Sequence, residues 1–291
     1  MSDHRVLSLK VLTFNVFHDY PFFRHFERRL KLLEDGLAAE RPDVAILQEV
    51  SVSHDHGHLT ERLVEALGKQ GFRLRSAYAA ANGSIKDGGS FEEGSAVLSR
   101  WPIVAVEARR LAADHLVERE SHGYRFQESR IALRATIEVA PDVRLDVFGA
   151  HVTDFAPAAG ASARRLQIED LARFVVERPE HRFPAVIGGD FNARPESDDI
   201  GWLCQSGFED LCVANEPGLT NDANDRDLEG FDDTSDQRID YLFVAGAAQG
   251  RVNVRSVKLF LAKPAEVQPG RFLWASDHSG IVAEIEIRLD R

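Results

Sequence analysis

Apolar and polar residues alternate in two well-separated segments of this chain, with the period of a β-strand. Residues 131–139 and 281–289 carry an apolar side chain at every second position, so each has one buried and one wetter face. Helical spacing, with apolar residues three and four positions apart, appears between strand-like segments at 22–37, 59–67 and 163–175. A chain that interleaves the two patterns from end to end is expected to fold as an α/β protein.

Further strands are indicated by runs of β-branched and aromatic residues, at 7–17, 44–50, 72–78, 95–99, 143–151, 185–190, 239–244 and 251–261. We find no long Pro- or Ser-rich linker and no short repeat, so residues 1–291 are predicted to form a single α/β domain with two packed sheets and outer helices. Segments 80–93 and 215–237 are rich in turn-forming and polar residues and are predicted to be its long loops.

Composition limits the partners of this chain. A formal net charge of -12 is the opposite of the basic footprint that holds a nucleic-acid backbone, so nucleic acid is disfavoured as a partner without being excluded. Cys204 and Cys212 are too few for a disulfide framework and lack zinc-site spacing. No apolar run has membrane-spanning length and no signal-like segment is present, which predicts a cytoplasmic protein.

Polar residues interrupt apolar strands at their C-terminal ends at several places, and burying them there is unfavourable unless they bind something. Each has an ordinary structural interpretation when taken alone, such as a helix cap, a surface ion pair or a satisfied core histidine. The set is Asn15, Glu49, His151, Asp190, Asn192, Asp240 and the run 276–279. Together these residues are hard to explain by structure alone.

Five short motifs carry these residues in a fixed order: Thr-Phe-Asn at 13–15, Leu-Gln-Glu at 47–49, Gly-Asp-Phe-Asn at 189–192, Arg-Ile-Asp-Tyr at 238–241 and Ser-Asp-His at 276–278. In this order the chain resembles the endonuclease/exonuclease/phosphatase superfamily, which includes pancreatic-type deoxyribonucleases, abasic-site endonucleases, neutral sphingomyelinases and inositol-polyphosphate 5-phosphatases. The resemblance implies a four-layer α/β/β/α sandwich, in which two packed mixed sheets are flanked by helices and the active site lies at one edge of the sheets.

The resemblance also implies a metal site. Glu49 is its firmest ligand, assisted by Asn15 and Asp277. The carboxylates implied at this site could not stay ionised side by side without a cation. Oxygen ligands without cysteine suit Mg²⁺ or Mn²⁺, and whether one or two ions bind stays open.

The roles of the remaining residues follow from the same resemblance. Asp190 would orient or activate the attacking water, and Asn192 would donate to a phosphate oxygen. Asp240 would hold His278, while His151 matches the second histidine of the deoxyribonuclease and sphingomyelinase branches. Arg130 is in the right order for a phosphate-binding arginine. Which histidine is the general acid stays open.

Three histidines at positions 54, 56 and 58 look like a metal site, but in a polar segment before a helix they are interpreted as a surface turn. The Gly-rich segment 87–90 lacks the Lys-Ser/Thr of a phosphate-binding loop. The aromatic residues at 22, 23 and 26 are interpreted as a helix face or staple.

The expected function is that of a metal-dependent phosphodiesterase acting on a small-molecule, nucleotide or lipid-headgroup ester. A DNA or RNA nuclease is the alternative, because superfamily members cut different substrates with nearly the same residues. A catalytically inactive binding module is a remote third hypothesis, disfavoured by the intact residue set. The abasic-endonuclease branch tends to have a tyrosine where this chain has His151, which argues against a repair nuclease.

Overall fold

The computed structural model describes residues 6–86, 89–112, 118–121, 124–154, 158–177, 183–212, 218, 220, 228–229, 237–246 and 251–289. The helices of this described part are α1 Phe26–Glu40, α2 Leu59–Lys69, α3 Ala158–Val176 and α4 Asp198–Gln205. Its strands are β1 Val6–Asn15, β2 Val44–Ser53, β3 Gly57–His58, β4 Arg75–Lys86, β5 Gly89–Ser99, β6 Ile103–Arg110, β7 Glu118–Ser121, β8 Tyr124–Gln127, β9 Ile131–Ala140, β10 Val143–His151, β11 Ala185–Asp190, β12 Phe208–Asp210, β13 Asp240–Ala245, β14 Val252–Phe260, β15 Ala265–Gln268, β16 Arg271–Leu273 and β17 Gly280–Arg288.

The first large sheet has the strand order β14-β17-β1-β2-β5-β4, with the short β3 paired to β2. β1 lies between two strands that are far apart in the sequence: it pairs antiparallel with β17 and parallel with β2. Asn15 at the end of β1 pairs in register with Gln48, the residue before Glu49. The parallel pairing therefore places Asn15, at the carboxyl end of β1, beside Glu49 in the middle of β2.

The second large sheet has the strand order β12-β13-β11-β10-β9-β6. β10 and β11 run parallel with His151 opposite Asp190, and β13 runs antiparallel to β11 with Asp240 also opposite Asp190. Three of the predicted site residues thus form one row across the end of this sheet. His151 and Asp190 end their strands as predicted, whereas Asp240 is the first residue of β13, so a position at the C-terminal end of a strand is wrong for Asp240.

Three hydrophobic layers hold the sheets and helices together. Apolar side chains from the inner faces of both sheets, such as Ile46 and Leu242, form the central core. Leu33 and Leu63 of α1 and α2 pack on the outer face of the first sheet, while residues of α3 and α4 cover the second. This arrangement confirms the predicted α/β/β/α sandwich with two mixed sheets. An added Cβ on Gly188 would lie 2.7 Å from the Ile46 side chain, so the sheets approach closely beside the site.

Several boundaries differ from the sequence prediction. The predicted loop 80–93 is wrong in its described part, because its residues pair in the β4–β5 hairpin, with a bulge between Ala80 and Asn82. α1 begins at Phe26, so Phe22 precedes the helix and is 62% exposed. β6 and α4 were not anticipated. Most of the predicted loop 215–237 lies outside the described residues.

The cysteines and the character of the helices complete the description of the fold. Both cysteines are free thiols, Cys204 exposed and Cys212 buried. Among the described residues, no helix has the length and apolar character needed to cross a bilayer.

Candidate active site

A row of polar side chains crosses the edge of the second sheet and continues into the segment before β17. Asp240 is fully buried and its Oδ2 lies 2.9 Å from Nδ1 of His278. The other ring nitrogen, Nε2 of His278, lies 3.7 Å from Oδ2 of Asp190. Ligand atoms of Asp190, Asp240 and His278 all lie within 4.8 Å of one another. The strand register and the last turn before β17 therefore assemble this group.

Asn15 joins the two sheets at this edge. Its Nδ2 donates to Oε1 of Glu49 at 3.0 Å and to Oδ2 of Asp190 at 3.2 Å, so one amide links β1 and β2 to β11. Glu49 has a φ of +56° and lies where the β2–β5 register shifts. A non-glycine residue in this conformation is strained by roughly 1–3 kcal/mol, and the strain here accompanies a carboxylate held at the sheet edge.

His151, Arg130 and Asn192 form a second group around Asp190. Arg130 Nη1 lies 2.8 Å from Nδ1 of His151, and since a guanidinium only donates, Nδ1 accepts and Nε2 carries the proton. This Nε2 lies 3.6 Å from Oδ2 of Asp190. Asn192 has a φ of +48°; its backbone N donates to Oδ1 of Asp190 at 2.9 Å, and its Nδ2 donates to the Val152 carbonyl.

Burial and neighbouring charges separate the pKa values of these groups. Burial and the adjacent Asp240 raise the pKa of Asp190 to about 7. Burial opposes the charged form of His278, but Asp240 outweighs it and the pKa of His278 rises well above its ordinary value. Burial and Arg130 lower the pKa of His151 well below its ordinary value. Of the two histidines, His278 is thus the charged one and His151 the neutral one near pH 7.

The pKa values of Glu49 and Asp277 are also shifted in opposite directions. Burial would raise the pKa of Glu49, but His18, His151 and the Asn15 amide together lower it. Burial and the neighbouring Glu49 raise the pKa of Asp277, against the opposing effect of His278. The site therefore concentrates carboxyl groups whose full ionisation needs additional positive charge.

A model of the endonuclease/exonuclease/phosphatase family matches residues 12–278, a span that includes every one of these side chains. The chain belongs to the endonuclease/exonuclease/phosphatase family. Members of this family are phosphoester hydrolases and are generally dependent on divalent metals. No curated protein sequence matches the chain.

Solved structures of family members share the fold. A family protein from Bacteroides thetaiotaomicron superposes with a TM-score of 0.73 at 17% identity, covering 98% of this chain and 100% of that chain. One from Beutenbergia cavernae superposes with a TM-score of 0.69 at 21% identity, covering 97% of this chain and 72% of that chain. The human Nocturnin catalytic domain with bound sulfate gives a TM-score of 0.68 at 18% identity, covering 97% and 96%. At these identities the likeness shows the fold alone.

Two further ionisable residues lie at this family site and were missed from the sequence. The backbone N of His18 donates to Oε2 of Glu49 at 3.2 Å, and its ring Nε2 lies 3.6 Å from the same oxygen. Glu93 on β5 is buried, accepts from Asn82 at 2.6 Å, and feels the charges of Arg130 and His18. No local sequence pattern marked Glu93, which follows Glu92 in the segment that was predicted to be a loop.

The signals interpreted as structural stay outside this site. His56 stacks on Phe26 with ring centroids 4.3 Å apart, and His58 packs edge-on to Tyr78.

Arginine side chains could bind a nucleic-acid backbone, so their partners bear on the alternative function. Arg109 pairs with Glu177 at 2.7 Å. Arg130 pairs with Glu128 at 2.9 Å. The side chains of the arginines at 119 and 125 lie outside the described residues.

The residues at this edge suit a hard divalent ion. Within the described part of the chain, Oδ1 of Asp240 is buried without a hydrogen-bond partner, an unfavourable state for a carboxylate oxygen in a dry site. Among the described residues, Oδ1 of Asn15 accepts from the Phe17 backbone N alone, at 3.0 Å, which leaves a lone pair for a ligand. Carboxylate and amide oxygens without a thiolate are the donors that Mg²⁺ and Mn²⁺ prefer.

Proposed function

We propose that this protein is a metal-dependent phosphodiesterase that hydrolyses a small-molecule, nucleotide or lipid-headgroup ester. The observation that carries the proposal is one continuous network, in which Glu49, Asn15, Asp190, His278 and Asp240 are joined across both sheets within 3.7 Å at each link. Such a network holds several acid and base groups at fixed separations, which phosphoester hydrolysis requires.

In this proposal Glu49, Asn15 and Asp277 hold one or two Mg²⁺ or Mn²⁺ ions. The bound metal would supply a Lewis acid that neutralises charge on the phosphoryl oxygens. Family membership and the carboxyl-rich site support this part of the proposal.

The protein groups divide the remaining work. Asp190, with a pKa of about 7, accepts a proton from the water as it attacks phosphorus in line, since a base works best with a pKa near the working pH. His278, held charged by Asp240, donates to an oxygen that gains negative charge. His151 donates a hydrogen bond through Nε2, with Asn192 and Arg130 completing the phosphate contacts. The neutral state of His151 favours His278 as the general acid.

A DNA or RNA nuclease is the second candidate. It is supported by the fold likeness to D. rerio TDP2 complexed with a single-strand DNA product, which has 17% identity and a TM-score of 0.68, covering 96% of this chain and 98% of that chain. The net charge of -12 and the ion pairs of Arg109 and Arg130 favour a small ester instead. A cytoplasmic location and a phosphoester as the main partner remain parts of the first proposal.

The test is a substrate panel measured with Mg²⁺, with Mn²⁺ and with excess EDTA. Its members are bis-p-nitrophenyl phosphate, p-nitrophenyl phosphate, sphingomyelin, plasmid DNA and an abasic oligonucleotide, and Asp190→Asn serves as the inactive control. We expect turnover of the small diester that EDTA and Asp190→Asn both abolish. Full activity in EDTA would refute metal dependence, and higher catalytic efficiency on DNA than on the diester would put the nuclease first.

A further inference from the structure

Arg29 is a buried arginine on the first turn of α1, next to an exposed arginine. Arg29 is only 5% exposed, whereas the adjacent Arg28 is exposed to solvent. Arginine is seldom buried without specific partners, because removing its charge from water is unfavourable. The contacts of Arg29 therefore indicate what this charge does inside the protein.

The guanidinium of Arg29 binds two loops from distant parts of the chain. Its Nη2 donates to the carbonyl of Val16 at 2.7 Å and to that of Phe17. Its Nε donates to the carbonyl of Ala275 at 3.0 Å. The first two acceptors follow β1, and the third precedes β17. One side chain thus connects segments about 260 positions apart in the sequence.

A proposed metal ligand lies next to the first loop, and another lies within the second. Asn15 directly precedes the first loop, and Asp277 lies two residues after Ala275. Ser276 adds a second connection between them, because its Oγ donates to the Asn15 carbonyl at 2.7 Å. The relative position of Asn15 and Asp277 is consequently set by side-chain bonds from Arg29 and Ser276, in addition to the β1–β17 pairing.

The charge of Arg29 also faces the acidic side of the site. Burial lowers the pKa of Arg29, and the carboxylates of Asp277, Asp19 and Glu49 oppose that effect, in this order. Nη1 of Arg29 is buried and has no hydrogen-bond partner among the residues that the structure describes. Arg29 therefore combines a fixed positive charge with hydrogen-bond donors on two separate nitrogens, Nε and Nη2. Lysine cannot reproduce this combination because its donors share one nitrogen.

We propose that Arg29 is a positioning residue for the divalent-metal site: it holds the loop after β1 and the loop before β17 at the spacing at which Asn15, Glu49 and Asp277 bind one ion together. The inference rests on the proposed function, since it assumes that these three residues are metal ligands. Arg29 touches neither the substrate nor the reacting atoms, and it acts through the carbonyls of Val16, Phe17 and Ala275.

The experiment measures Mn²⁺ binding directly, from the electron paramagnetic resonance signal of the free ion. Arg29→Lys keeps the charge and removes one arm, and Arg28→Lys is the matched exposed control one position away. Loss of an outer partner of metal ligands typically weakens metal affinity roughly 10- to 100-fold. We expect Arg29→Lys to weaken Mn²⁺ affinity at least about tenfold, and Arg28→Lys to leave it unchanged.

A general loss of stability must be separated from this effect. Leu33→Ala removes a buried side chain from the same helix, one turn further on, and should lower the melting temperature while leaving Mn²⁺ affinity unchanged. Activity at saturating Mn²⁺ should fall much less in Arg29→Lys than activity at limiting Mn²⁺, because the reacting groups stay in place. A KM for metal that rises while kcat is nearly kept is the signature of positioning.

Each outcome decides between the two proposals. A folded Arg29→Lys with wild-type Mn²⁺ affinity overturns the role of Arg29. If that variant does not fold, Arg29→Gln takes its place, and failure of both to fold where Leu33→Ala folds makes Arg29 purely structural. A wild-type protein whose Mn²⁺ affinity depends on Arg29 but which hydrolyses no ester refutes the proposed function alone. Absence of Mn²⁺ binding by the wild type refutes both.

Discussion

Replacement of Asp240 by asparagine isolates the contribution of one buried charge to the site. Asp240 is fully buried, and its Oδ2 lies 2.9 Å from Nδ1 of His278. Asparagine has nearly the same shape and can still accept the hydrogen bond. The substitution therefore removes the charge and largely preserves the geometry.

The magnitude follows from the kind of pair that is broken. Removing one partner of a buried ion pair costs about 3–5 kcal/mol, and the retained neutral hydrogen bond recovers about 1 kcal/mol of it. About 3 kcal/mol of imidazolium stabilisation is then lost, so at a pH above the new pKa of His278 its charged form is roughly 150-fold less populated, and kcat falls by the same factor if charged His278 acts in the rate-limiting step. Asp240 is also the largest influence that raises the pKa of His278, so this pKa should fall.

The assay combines the pH dependence of kcat with a nuclear magnetic resonance titration of the His278 ring in EDTA. The proton-donating form of His278 exists below its pKa, so the alkaline limb of the pH profile should move to lower pH in Asp240→Asn. Asp210→Asn is the matched control, since Asp210 is a buried carboxylate on β12 paired with Arg238 at 2.7 Å. It should lower stability without moving that limb. An unmoved alkaline limb in Asp240→Asn, or a kcat of that variant on this limb within threefold of wild type, would refute the reasoning.

Four further outcomes are expected. Glu49→Gln should weaken activation by Mg²⁺, with partial rescue at high Mg²⁺ concentration, and an unchanged metal titration would exclude Glu49 as a ligand. Gly189→Ala should destabilise the fold by about 3 kcal/mol or more in a denaturant titration, because its Cβ would lie 2.1 Å from the Ala150 carbonyl oxygen, whereas Gly201→Ala meets nothing within 4 Å and should be tolerated. Because the pKa of Asp190 is raised to about 7 in the folded protein, protonation of Asp190 stabilises the fold fully below about pH 4, and this contribution is lost as the pH rises to about 7. In EDTA the free energy of unfolding of Asp190→Asn should therefore rise relative to that of wild type across this pH range. A constant difference would contradict the sign. Binding to duplex DNA should be weak and only shallowly dependent on salt, and nanomolar binding with a steep slope would favour the nuclease.

The sequence predicted those parts of the fold and site that depend on local pattern and order. Alternation at 131–139 and 281–289 identified β9 and β17, and the ordered motifs placed Asp190, Asp240 and His278 at strand ends that the register then aligned. The α/β/β/α arrangement is confirmed. The roles assigned to the individual site residues, and the assignment of 1–291 to one domain, stay predictions.

Features that depend on three-dimensional packing could not be predicted in this way. The bond from Asn15 to Asp190 crosses between the sheets, and Arg29 acts through backbone carbonyls that carry no sequence signal. The segment 80–93 was mistaken for a loop because its glycines and serines suggest turns, although its described part pairs along the edge of a sheet. Directly after this segment, Gly94 allows β4 and β5 to approach closely, because an added Cβ on it would lie 2.0 Å from the Ala79 carbonyl oxygen.

The pairing of β1 with β17 has a consequence for biosynthesis. Val6 lies opposite Arg288 and Thr13 opposite Ile281, so the centre of the first sheet lacks one neighbour of β1 until the ribosome has made nearly the whole of the described chain. Asn15 and Glu49 emerge early, but His278 and Asp277 reach them only after that last strand has docked. A nascent chain therefore exposes the apolar edge of β1 while it waits, which favours binding by chaperones. Hydrolytic activity should appear abruptly, once β17 has been synthesised and has paired with β1.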